Sequence, residues 1–133
     1  ELKGFDCKCA ASVLCYPVLS TVKGVTHEES AVNISKGEET LRKYLSLEYR
    51  VDSNTIPTFI WHTRFDPAVS VENTIRFITA LSRYNVDFEA HIFEEGEHGI
   101  SLCNTEVNTK VDNTKIWFEL ALVWLCKQLN YSI

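Results

Sequence analysis

Asp66 and His98 are the two side chains whose types could make a working acid–base pair. A carboxylate that accepts a hydrogen bond from one imidazole nitrogen fixes the ring's tautomer and stabilises the imidazolium. The other nitrogen is then left to take a proton from a nucleophile. Each residue also has an ordinary structural explanation. An Asp just after a strand often serves a turn, and a His in a polar, glycine-containing loop is simply tolerated there. The two stand far apart in sequence, so the case for a pair depends on the elements that would carry them to one place.

Three short runs read as strands. Ala11-Ser-Val-Leu-Cys-Tyr16, closed by Pro17, and Thr58-Phe-Ile-Trp-His62, following Pro57, are apolar and rich in β-formers, the pattern of strands buried on both faces. Phe88–Phe93 follows a turn expected at Asn85 and gives way to the polar segment Glu94–Gly99. Between the second and third runs, Val71, Ile75, Ile78 and Leu81 recur at three- and four-residue steps behind Ser70 as N-cap, predicting an amphipathic helix. The segment from about Thr114 to Leu129 is apolar at most positions, including Trp117, Phe118, Leu122 and Leu125, and predicts a helix packed deeply on the sheet. A shorter helix is predicted from Glu38 to Leu47 on Leu41, Tyr44 and Leu45, while Ser20 to about Glu38 carries no readable period. The alternation predicts an α/β architecture with parallel strands and crossover helices.

That architecture would bring the pair together. A helical crossover from Thr58–His62 to Phe88–Phe93 makes the two strands parallel neighbours, so their C-terminal ends share one edge of the sheet. Asp66 lies four residues beyond His62 and His98 five beyond Phe93. Both therefore fall on the rim where ligands of open α/β sheets collect.

The remaining candidates read more plainly. His62 ends its strand and could face the rim, but a strand-end histidine bonded to backbone is the stronger reading. His91, in mid-strand, suggests a core or interface residue. His62, Asp66, His91 and His98 lack the helical spacing of a metallohydrolase set, so no metal is expected. Trp61, Phe65 and Phe93 are expected as core or pocket walls.

A net charge of −5, with basic residues scattered, gives no footprint for nucleic acid or an anionic membrane. The apolar stretch Trp117–Cys126 is too short for a bilayer span. The five cysteines have no regular spacing and read as free thiols in a reducing compartment, which favours the cytoplasm. Cys7 and Cys9 lack zinc spacing, and the glycosylation patterns Asn33-Ile-Ser35 and Asn130-Tyr-Ser132 are short enough to arise by chance.

The run Pro57-Thr-Phe-Ile-Trp-His-Thr-Arg-Phe-Asp-Pro-Ala-Val-Ser-Val-Glu-Asn73 resembles the acid-bearing loop of the α/β-hydrolase superfamily, in particular its microbial esterase and acetyl-xylan-esterase-like branch. His91-Ile-Phe-Glu-Glu-Gly-Glu-His98-Gly99 resembles that branch's histidine loop. Leu14-Cys-Tyr-Pro-Val18 and Tyr44-Leu-Ser-Leu-Glu48 resemble the segments preceding the acid. The four matches come in the family's order and cover nearly the whole chain.

The resemblance implies that Asp66 is the triad acid and His98 the general base, with Thr63 where many relatives have Gly. It also implies a Gly-x-Ser-x-Gly elbow carrying the nucleophile. None of Ser12, Ser20, Ser30 and Ser35 has those flanking glycines, so the elbow is expected upstream of Leu14, outside this sequence. Residues 1–133 are then expected to be the C-terminal portion of a single α/β-hydrolase domain. The implied parent is a serine hydrolase of small carboxylic esters, plausibly acetylated sugars, needing no cofactor. A catalytically inactive hydrolase-like domain used for binding or assembly is the alternative. A sheet holding only the later strands should also expose an edge and self-associate.

Overall fold

The computed structural model describes residues 8–107 and 111–131. Cys7 and Ser132, each half of a motif considered above, lie outside the described residues. Three strands, β1 (Ser12–Cys15), β2 (Thr58–Thr63) and β3 (Phe88–Phe93), form one sheet in the order β1-β2-β3. Both pairings are parallel. Helices α1 (Glu28–Ser35) and α2 (Glu39–Leu45) connect β1 to β2, α3 (Glu72–Arg83) connects β2 to β3, and α4 (Trp117–Leu129) closes the described chain.

The central strand organises the core. All six residues of β2 are buried, and alternate side chains enter separate apolar clusters. Phe59 and Trp61 pack with Trp117, Ala121 and Trp124 of α4. Ile60 packs with Leu19, Val51 and with Phe77, Ala80 and Leu81 of α3. This two-sided burial is why β2 reads as an unbroken apolar run.

β1 departs from expectation. Its residues are only half-buried, because it is an edge of this sheet and pairs on one side alone among the described residues. α4 begins at Trp117 rather than Thr114. The Thr114 hydroxyl instead donates to the Glu95 carbonyl (2.6 Å), and the Thr114 carbonyl accepts from Trp117 N–H. Nor is α4 buried all round. Trp117, Ala121 and Trp124 face the sheet, while Phe118 and Leu122 are exposed.

The buried face of α3 differs from the apolar pattern. Asn73, Thr74, Phe77, Ala80 and Leu81 are buried and Ile75 is exposed, since two polar residues occupy the first inward positions. Ser70 stands one residue outside the N-cap, yet its hydroxyl accepts the Glu72 N–H at 3.3 Å. α1 lies in the stretch without readable periodicity. Glu28 and Glu29 in its first turn favour the positive end of the helix, and the buried Arg42 of α2 pairs with Glu28.

Candidate active site

β2 delivers the acid. Three residues past Thr63, Asp66 turns its side chain inward, leaving it no solvent exposure. Its Oδ1 accepts the backbone N–H of Ala68 and of Val69, each at 2.9 Å, an Asx turn that holds the carboxylate on its own loop. Oδ2 lies 2.8 Å from His98 Nδ1 and 3.3 Å from His62 Nε2. Burial alone would push the Asp66 carboxyl up, but the Val69 N–H, His98 and the Ala68 N–H outweigh it. They hold the group below the ordinary carboxylate range.

β3 delivers the imidazole. The register pairs Thr63 with Phe93, and Arg64 N–H donates to the Phe93 carbonyl at 2.7 Å, which carries the ladder beyond both strand ends. The loop after β3 is anchored on either side of His98. Before it, the Thr63 hydroxyl donates to the Gly96 carbonyl at 2.7 Å, which ties the loop to the end of β2. After it, Ile100 is buried and Trp117 Nε1–H donates to the Ser101 carbonyl at 2.9 Å.

Gly96 is required where it sits. Its φ is +132°, and a Cβ would stand 2.6 Å from Ile100 Cδ1 and 2.9 Å from Thr63 Cγ2. His98 remains 36% exposed at the loop's apex. With an ionised Asp66 as acceptor, the neutral ring carries its proton on Nδ1. Nε2 forms no hydrogen bond among the described residues and is left as the basic nitrogen.

Tyr16 was not foreseen as a neighbour of this pair. It follows β1 with φ +37°, a sparsely populated conformation for a large side chain. Its N–H donates to the Trp61 carbonyl at 2.8 Å, and its hydroxyl accepts the Ser101 N–H at 3.3 Å. Its ring meets both Trp61 and His98 edge-on, each at 4.9 Å. The available signal was positional: Tyr16 ends a strand parallel to β2, so it reaches the same rim as Asp66.

His62 is fully buried and does bond backbone, its Nε2 lying 2.9 Å from the Val69 carbonyl and its Nδ1 2.9 Å from Thr74 Oγ1. His91 is only half-buried on the edge strand, beside Glu89 and stacked on Phe93. Trp61 and Phe93 join the core packing, Trp61 stacking on Trp117 at 4.9 Å. Phe65 does not. It is 63% exposed on the rim, beneath the Arg64 guanidinium. Among the described residues, no group of three or more His, Cys, Asp or Glu could hold a metal ion.

The model of the prolyl oligopeptidase family matches residues 8–130. The chain belongs to that α/β-hydrolase family. Among solved structures, this prolyl oligopeptidase family member resembles an acetyl ester-xyloside bifunctional hydrolase from Caldicellulosiruptor lactoaceticus, with a TM-score of 0.83 and 35% identity. The match covers 94% of this chain and 44% of that one. A sugar hydrolase from Lactococcus lactis matches with a TM-score of 0.79 and 34% identity, over 91% of this chain and 49% of that one. An endo-1,4-beta-xylanase B from Butyrivibrio fibrisolvens is 38% identical over 96 residues, 71% of this chain and 15% of that protein. The chain thus spans less than half the length of the structures it matches, and its parallel sheet with helices corresponds to their C-terminal half. No described helix is long and apolar enough to cross a membrane.

Proposed function

We propose that residues 1–133 are the C-terminal portion of a single serine-hydrolase domain, in which Asp66 is the triad acid and His98 the general base. The nucleophilic serine is carried upstream of this sequence. The observation behind this reading is the 2.8 Å contact between Asp66 Oδ2 and His98 Nδ1, made by a carboxylate whose other oxygen is already held by two backbone donors. It leaves Nε2 of a partly exposed ring without a partner among the described residues.

In the complete enzyme, serine attacks an ester carbonyl while His98 Nε2 takes its proton, later returning a proton to the departing alcohol. Water repeats the sequence on the acyl-enzyme, and Asp66 holds the imidazolium throughout. No step needs a metal or organic cofactor. The similarity to an acetyl ester-xyloside hydrolase supports a small carboxylic ester of an acetylated sugar as substrate.

The test is hydrolysis of p-nitrophenyl acetate by the full-length enzyme and by the 133-residue chain. In the full-length enzyme, Asp66→Asn should cut kcat by up to about ten-thousand-fold and His98→Ala by up to about a million-fold, as in well-studied serine proteases. The 133-residue chain should do no more than an exposed imidazole, with either residue replaced or not. Saturable turnover by the chain that vanishes with His98→Ala would refute the upstream nucleophile. A full-length protein that turns over no ester, with or without either substitution, would favour an inactive binding domain instead.

A further inference from the structure

Asp66 has a second imidazole against it, and its protonation follows from its surroundings. His62 Nε2 faces two groups, the Val69 carbonyl at 2.9 Å and Asp66 Oδ2 at 3.3 Å. Neither the carbonyl nor an ionised carboxylate can donate, so Nε2 must carry a proton. His62 Nδ1 faces the Thr74 hydroxyl at 2.9 Å, which can donate or accept. The ring has no exposed surface, and burial pushes its pKa down against the opposing pull of the Val69 carbonyl and Asp66. The consistent state is a neutral ring with its proton on Nε2 and the Nδ1 lone pair taking the Thr74 proton. The opposite tautomer would aim a lone pair at two acceptors inside the core, where unmet polar groups are costly.

We propose that His62 is a positioning residue for Asp66, its Nε2–H shared between the Val69 carbonyl and Asp66 Oδ2. This rests on the reading of Asp66 as the triad acid. The two oxygens are held in different ways. Oδ1 is held by N–H groups of its own loop, and Oδ2 is approached by one imidazole from the rim and another from the sheet. His62 is well placed for this work because β2 locks it, whereas His98 stands on an exposed loop. By also holding the Val69 carbonyl, His62 fixes the residue whose N–H binds Oδ1, so one ring steadies the carboxylate at both ends. A second donor on Oδ2 also lowers the carboxylate's affinity for the proton, which keeps the proton on His98 when the imidazolium forms.

Two measurements test this role, and the second separates it from simple core packing. In the chain labelled with 15N-histidine, long-range proton–nitrogen spectra at neutral pH should show His62 as the Nε2–H tautomer. A Nδ1–H tautomer for His62 would overturn the proposal without any substitution. In the full-length enzyme, His62→Leu should lower kcat by about a hundredfold with KM nearly unchanged, the loss expected when a reacting group is misplaced by about 1 Å. His62→Gln, whose amide N–H can reach the Nε2 position, should recover most of that loss. Full kcat in His62→Leu would overturn the proposal, as would equal loss in folded Leu and Gln variants. If His62→Leu does not fold, the spectra and the Gln variant still decide. An Asp66→Asn enzyme with undiminished kcat would instead refute the triad reading, independently of the His62 tautomer.

Discussion

The sheet and the segment between β1 and β2 are held together by different means. Around β2 the buried apolar residues are Phe59, Ile60 and Trp61, packed against α3 on one face and α4 on the other. In the 19–51 segment many are polar: Ser20, Thr21, Ser35, Arg42 and Ser46 are all buried. There the fixing contacts are directional. Thr21 N–H donates to Ser46 Oγ at 3.0 Å, the Thr21 hydroxyl bonds the Arg42 carbonyl, and Arg42 pairs with Glu28. One residue joins the regions. Asn73 of α3 accepts from Leu19 N–H and Ser20 N–H at 3.0 and 2.9 Å, and donates to the carbonyls of Val25 and Ser70 at 2.9 and 3.0 Å. All four of its hydrogen-bonding positions are used. Apolar packing tolerates small shifts, whereas such a clip works at one geometry only, so the two regions should fail differently.

The sharpest test of that contrast is Phe59→Ala, which empties a fully buried site in the cluster under α4. It should cost about 4 kcal/mol. The whole chain should melt lower as one transition, followed by calorimetry and by circular dichroism alike.

Asn73→Ala should cost less, about 3 kcal/mol, by stranding two N–H groups and the Val25 carbonyl, while the Ser70 carbonyl keeps the backbone N–H at position 73. Its effect should also be uneven. Hydrogen exchange should accelerate at the Leu19 and Ser20 amides while β2 stays protected, and equal acceleration in both regions would dissolve the distinction.

The smallest effect belongs to Glu28→Gln. The Arg42 guanidinium beside it holds the Glu28 carboxyl below the ordinary range, against a smaller upward push from burial. A depressed folded pKa contributes stability above the unfolded value and loses it as pH falls through the folded one. Glu28 is solvent-facing, so the contribution is screened and modest. The variant should lose part of the acid-side decline in melting temperature and otherwise match the parent.

What could be read from the sequence follows the same division. β2 and β3 were legible because apolar runs bounded by proline and a turn have few other uses, and their parallel pairing was enough to set Asp66 near His98. The 28–35 helix was not legible, since its buried positions are Ala31 and Ser35 and its anchors come from α2. The inward face of α3 was misjudged for a related reason. Asn73 and Thr74 are buried because of what they bond, and hydrophobic spacing cannot register that. Tyr16 and the double contact of Asp66 depend on loop conformations that no local pattern encodes.

The β2–β3 register, which sets His62 opposite Ile92 and Thr63 opposite Phe93, makes the spacing of acid and imidazole a stepwise quantity. Strands can slide only by whole residues, about 3.3 Å at a time, and a single step turns every side chain to the opposite face. Such a slip would carry Phe59 and Trp61 out of one cluster and Ile60 out of the other, a loss far greater than any loop adjustment. Gradual detuning of the pair by a creeping sheet is therefore closed off. Exposed rim residues such as Phe65 and Glu97 can vary while the ladder beneath keeps Asp66 and His98 in step.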